Sequence, residues 1–157
     1  MADIAIRPAD PASPEVAALI ALHIARTRAD FAAEAVHVLD VAALSAPGVR
    51  LFAATEGGEA AAIAALRDLG GGEVEVKSMF TRDESRGKGI AARLLARLVD
   101  EARGVGARRI LLETGTDPGS VPARRLYASA GFRPCGAYGD YPEHPESAFM
   151  VLDLAPD

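Results

Sequence analysis

One stretch constrains this chain more than any other. The strand-like run Val74–Thr81 is followed by a charged turn, Arg82-Asp83-Glu84-Ser85. A glycine loop comes next, Arg86-Gly87-Lys88-Gly89-Ile90-Ala91, and then a long amphipathic helix read over Lys88–Gly104. On that helix Ile90, Leu94 and Leu98 fall on one face, with Ala91, Leu95 and Val99 beside them. Glycines let a backbone approach a ligand without a Cβ in the way. The first amides of a helix have no partner inside it, and the helix dipole is positive at that end. Strand, loop and helix together make an anion site, to which Arg86 and Lys88 add charge.

The charge around this loop is local. Arg82, Arg86, Lys88, Arg93 and Arg97 cluster there, yet the chain carries a net charge of −5. That balance argues against nucleic acid and anionic membranes as partners. Arg93 and Arg97 are read equally well as a solvated helix face. No apolar run approaches the roughly 20 residues of a membrane helix. Charges at Asp3, Arg7 and Asp10 argue against a signal peptide. The single cysteine, Cys135, forms no internal disulfide and has no His/Cys cluster near it. A cytoplasmic protein without a metal is expected.

Helix and strand signals alternate along the rest of the chain, which points to a mixed α/β fold. Strands are read at Ile4–Arg7, Val49–Thr55, Ala60–Arg67, Glu73–Thr81, Arg109–Thr114 and Ala148–Leu154, with a glycine turn at Leu69–Gly72. Helices are read from Ser13-Pro14 to about Arg28, over Asp40–Ser45, and over Val121–Ala130. Ser13 and Ser120 each look like a capping hydroxyl beside an early proline. His23 lies near the apolar stripe of the first helix and reads as a packed helix histidine. With half of its residues apolar, the chain can bury a full core as one domain, residues 1–157.

Two nucleotide readings of the loop fail. The Gly-Lys-Ser/Thr of a phosphate-binding P-loop is missing. Gly87-Lys88-Gly89-Ile90-Ala91-Ala92 fits the loose dinucleotide pattern, and Glu113 ends the next strand, but a four-residue charged turn separates strand from loop. Instead, Arg86-x-x-Gly89-x-Ala91 resembles the Arg/Gln-x-x-Gly-x-Gly/Ala signature of the GNAT family of N-acetyltransferases. Further on, Ala123-Arg124-Arg125-Leu126-Tyr127-Ala128-Ser129-Ala130-Gly131-Phe132 resembles that family's second signature. Three other stretches are similar to a bacterial subgroup of small-molecule acetyltransferases: Glu75–Phe80, Leu112–Gly115, and Tyr138–Pro142 through His144–Ser147 to Phe149-Met150.

The resemblance implies a single, mostly antiparallel sheet of 6–7 strands flanked by about 4 helices and splayed between its two central strands. It implies acetyl-coenzyme A as co-substrate, with the pantetheine arm against the backbone of Met79, Phe80 and Thr81. The pyrophosphate would sit on Arg86, Gly87, Lys88, Gly89, Ile90 and Ala91. Ser120 stands where many relatives carry a cofactor-contacting asparagine, so it is either a helix cap or a cofactor contact. Tyr127 is expected to protonate the leaving thiolate.

An aliphatic amine has a pKa near about 10.4 and must lose a proton before it attacks. Strict alternation puts Glu73, Glu75, Lys77, Met79 and Thr81 on one face of their strand. Val74, Val76, Ser78 and Phe80 then share the other face. Glu75, Lys77 and Glu113, with Glu113 paired to Lys77, form either an acceptor site or a buried ion network. Glu75 is the expected base, directly or through a water. The expected partner is a small-molecule amine, amino-acid-like where Lys77 meets a carboxylate, and the family-level assembly is a homodimer. The competing function is a non-catalytic acyl-coenzyme A-binding regulatory module.

Overall fold

The computed structural model describes residues 3–154; the ends of the 1–157 domain expectation lie outside them. Seven strands form one sheet: β1 (Ile4–Pro8), β2 (Val49–Glu56), β3 (Glu59–Gly70), β4 (Glu73–Thr81), β5 (Arg109–Gly115), β6 (Arg133–Cys135) and β7 (Ser147–Asp153). Their order is β1-β2-β3-β4-β5-β7-β6. Every neighbouring pair is antiparallel except β4 and β5. The helices are α1 (Pro14–Asp30), α2 (Val41–Leu44), α3 (Ile90–Gly104) and α4 (Val121–Ser129). The mixed, mostly antiparallel sheet expected from the sequence is thus present, with one short edge strand, β6, that lacks a periodic signal of its own.

Two cores sit on the two faces of the sheet. Val16, Leu19 and Ile20 of α1 and Leu44 of α2 pack with Leu51, Ala53, Ile63, Ala65 and Phe80. Ile90, Leu94, Leu95 and Leu98 of α3 pack with Leu66, Val74, Val76, Ile110 and Leu112, joined by Tyr127 and Phe132. Each such leucine or isoleucine is worth about 1.5–3 kcal/mol relative to an exposed one. The run Ala60–Ala65, a weak strand by propensity, is central and buried. Its small side chains let α1 on one side and α3 on the other both contact β3. Among the described residues no helix is long and apolar enough to cross a membrane.

Three local expectations change. Ser13 does not cap α1, because its hydroxyl donates to the Asp10 carbonyl instead, at 2.9 Å. Ser120 precedes α4 without capping it and turns its hydroxyl to the Asp117 carboxylate. The third change concerns β4. Ala65 pairs with Lys77 but Ile63 pairs with Phe80, so β4 carries one extra residue there. Ser78 takes a left-handed φ of 57° at this bulge, and a bulge reverses the side-chain alternation beyond it. Phe80 therefore joins Lys77 on the α1 face, while Met79 packs on the α3 face. Strict period-two alternation predicted the opposite.

Candidate active site

The parallel pairing of β4 with β5 is short. It runs from Glu73↔Arg109 to Val76↔Leu112 and stops. Beyond it β4 continues along β3, and β5 continues along β7. The sheet therefore opens after Val76 and Leu112, just ahead of Met79, Phe80 and Thr81, where the pantetheine arm is expected. Lys77 and Glu113 are the first residues past the seam. A cleft of about 540 Å³ occupies the opening, walled by Lys77–Thr81 of β4 and Glu113–Gly115 of β5. At Gly115 an added Cβ would lie 2.7 Å from Phe31 and as close to Asp117 and Ser120, so only glycine lets these segments meet at the cleft wall.

At one end of the cleft stands the glycine loop. Gly87 and Gly89 both have φ of +78°, and Gly89 precedes α3 with no side chain capping it. The helix's first amides are left to a ligand. Arg86, Gly87, Gly89, Ile90 and Ala91 line this end, together with Met79, Phe80, Thr81 and Ser120. Lys88 does not. Its Nζ donates to Glu56 at 2.6 Å, and Ser85 donates to the same carboxylate at 3.0 Å. The Lys88 side chain thus fastens the loop to the end of β2. Arg93 and Arg97 donate to the Ile4 and Ile6 carbonyls of β1, and Arg97 lies over the Phe52 ring. They bind β1 to α3.

The residues present fit a coenzyme A arm. An unpaired strand edge lies open from Lys77 to Thr81, and the Ser78 hydroxyl beside it is buried with no partner among the described residues. Tyr127 lines the same cleft from α4. Only 5% of it is exposed, and its ring meets Phe132 edge-on at 5.8 Å. Burial pushes its phenol well above the ordinary tyrosine range, so it holds its proton at neutral pH.

The far end is polar, and the sequence-predicted trio separates there. Glu75 is fully buried. Arg67 Nη2 lies 2.7 Å from its Oε1, and the Tyr138 hydroxyl donates to its Oε2 at 2.5 Å. It does not line the cleft, so it stands behind the wall, out of reach of a bound amine. Lys77 does line the cleft but does not pair with Glu113. Its Nζ donates to the His37 carbonyl at 2.6 Å and to the Tyr141 hydroxyl at 2.8 Å. Burial pulls its ammonium below the usual lysine range; Glu75 and Glu113 oppose that, and Arg67 adds to it. Glu113 instead holds His37, whose Nδ1 is 2.8 Å from each carboxylate oxygen.

Several of these groups escaped sequence reasoning. His37 sits in an apolar Val-His-Val segment with nothing nearby to mark it. Arg67 is one arginine among many. Tyr138 and Tyr141 do stand in a stretch singled out by resemblance, without a role. His23 lines the cleft and stacks on Phe80 at 5.3 Å. Burial, helped by Lys77, lowers its pKa to about 4.

Residues 16–132 match the model of the acetyltransferase (GNAT) family. The chain is 39% identical over 121 residues to an uncharacterised N-acetyltransferase, YsnE, of Bacillus subtilis, covering 77% of this chain and 80% of that one. It is 39% identical over 125 residues to the IAA acetyltransferase of Azospirillum brasilense, covering 79% and 80%. A structure of a candidate acyl-CoA N-acyltransferase from Klebsiella pneumoniae superposes with a TM-score of 0.82 at 28% identity, over 97% of this chain and 98% of that one.

Proposed function

The chain belongs to the acetyltransferase (GNAT) family and is an acetyl-coenzyme A-dependent acyltransferase, and from that premise we propose that it acetylates the amine of a small molecule, residues 1–157 acting as one domain. One observation carries the reading. The cleft joins an end made of free backbone amides to an end made of buried, mutually bonded polar side chains. The first suits a phosphate-bearing arm; the second suits a small polar acceptor.

Bound acetyl-coenzyme A supplies an acetyl thioester. The amides around Gly87, Gly89, Ile90 and Ala91, with Arg86, hold its pyrophosphate. The open edge at Met79, Phe80 and Thr81 pairs with its pantetheine arm, and an amide there polarises the thioester carbonyl. Ser120 borders the same arm. Tyr127 gives a proton to the departing sulfur. Lys77 and Glu113 shape the acceptor end, while Glu75 acts as a counter-charge that positions Arg67, Tyr138 and Lys77. Lys77, fixed by two acceptors, leaves room for a carboxylate on the acceptor, so amino-acid-like amines come first in a screen.

The test is coenzyme A release, read by a thiol reagent, over a panel of amines and amino acids. A relative named an IAA acetyltransferase puts IAA in the panel as well. Saturable thiol release with an amine, and an N-acetyl product by mass spectrometry, is the expected result. Saturable release in which no amine of the panel is acetylated would overturn the amine assignment.

A further inference from the structure

We propose that His37, held by Glu113, is the base that takes the proton from the acceptor amine. The inference rests on the transferase reading above and adds the one group that reading lacks. An amine attacking a thioester in the split sheet must shed its proton to something on the cleft wall. Glu75, the acid that the sequence favours, is fully buried behind that wall with Arg67 and Tyr138 on its oxygens. Lys77 gives its protons to the His37 carbonyl and Tyr141. His23 is packed on Phe80. His37 lines the cleft at the acceptor end.

Its geometry suits the task. Nδ1 lies 2.8 Å from both oxygens of Glu113, which makes Nδ1 the proton-bearing nitrogen and leaves the lone pair on Nε2. A carboxylate on one ring nitrogen fixes the tautomer and stabilises the imidazolium formed at the other. Lys77 holds the His37 carbonyl at 2.6 Å, and the Tyr141 ring meets the imidazole edge-on at 4.8 Å. The ring is thus fixed from β5, from β4 and from the loop after β6. The charged or titratable groups facing it from those elements are Glu113, Lys77 and Tyr141.

His37 and Tyr127 also stand on opposite faces of the sheet. Lys77 pairs with Ala65 of the α1-side core, Glu113 follows Leu112 of the α3-side core and so alternates to the α1 face, and Tyr127 packs in the α3-side core. The opening in the sheet passes between them. In the balanced step, Nε2 removes one proton from the ammonium and later releases it to solvent. The freed lone pair forms the N–C bond as the C–S bond breaks. The second amine proton leaves as the sulfur is protonated, with Tyr127 as relay, so one proton is released overall.

The experiment combines a tautomer measurement with kinetics. In the free protein, ¹⁵N NMR of the histidine side chains should show His37 with Nδ1 protonated and Nε2 bare, and Glu113→Gln should disturb that tautomer. His37→Gln should lower kcat/KM about 10²–10⁴-fold with acetyl-coenzyme A affinity unchanged, and added imidazole should restore part of the rate to the smaller His37→Ala variant. A folded His37→Gln protein with wild-type kcat/KM overturns the proposal, as does an Nε2–H imidazole in the NMR spectrum. If the wild type releases no coenzyme A with any acceptor, the transferase reading has failed, and the tautomer alone then decides the geometry claimed for His37.

Discussion

The two ends of the cleft are built from different materials. The loop end is backbone: left-handed glycines at 87 and 89 and the uncapped start of α3. The acceptor end is side chain. His37, Arg67, Glu75, Lys77, Glu113, Tyr138 and Tyr141 come from five separate segments, and each is held by another. A backbone site depends on a few torsions and tolerates change in most side chains around it. A side-chain network fails as a unit, because each loss strands a buried partner.

The largest expected effect tests the network. Glu75→Gln removes the buried counter-charge of Arg67 and Lys77 and should cost about 3 kcal/mol of stability, the low end of the range for breaking a buried pair, because Arg67 is one-third exposed. Urea unfolding reads it. A loss under 1 kcal/mol together with a large fall in turnover would return Glu75 to the chemistry.

Acid should strain the middle of the cleft to a similar extent. The pKa of His23 falls from 6.5 to about 4 in the folded state. The unfolded chain therefore binds this proton more readily, and stability is lost as pH falls through that window. The shift amounts to about 3 kcal/mol at 1.36 kcal/mol per unit. His23→Phe should be less acid-sensitive between pH 6.5 and 4; equal slopes for mutant and wild type would remove His23 as the cause.

Tyr127→Phe keeps the packing on Phe132 and removes only the hydroxyl, so turnover should fall about 10²-fold with melting temperature and cofactor affinity nearly constant. Wild-type turnover in an assay limited by chemistry would leave Tyr127 a packing residue. Gly89→Val meets no steric obstacle, since nothing lies within 4 Å of an added Cβ. The φ of +78° is what valine resists, at about 1–3 kcal/mol, so calorimetry should show coenzyme A affinity reduced roughly 10–100-fold in a folded protein. Lys88→Met should do least. Its contact with Glu56 is an exposed ion pair of the kind worth about 0–1 kcal/mol, and a tenfold loss of cofactor affinity would show that Lys88 reaches the phosphates after all.

The same contrast explains what the sequence revealed. A backbone site is written in consecutive residues, so Arg86–Ala91 was readable from glycine spacing and the helix that follows. The strands other than β6, and the helices, were readable from periodicity and turn residues, while the single mostly antiparallel sheet came from the family resemblance. The acceptor end is assembled by tertiary folding, and no local pattern links His37 to Glu113 or Tyr138 to Glu75. The bulge at Ser78 defeated the alternation argument because one extra residue, invisible in composition, moves Phe80 to the other face of β4. The contact of Lys88 with Glu56 was not legible, because charge near a glycine loop says nothing about which acid lies beside it in the fold.

The short parallel seam has a consequence during synthesis. The pairings of β1 with β2, β2 with β3 and β3 with β4 all lie within residues 4–81, so a nascent chain that has emerged to Thr81 holds every partner of its first four strands except the one that covers β4. That strand's outer edge then waits for residues 109–112, roughly 30 residues later, or about 2–6 s at 5–20 residues per second. For those seconds it is an open edge of the kind that recruits other chains. Only Glu73–Val76 is ever covered by β5, so the residues that line the finished cleft begin as the exposed margin of a half-made sheet.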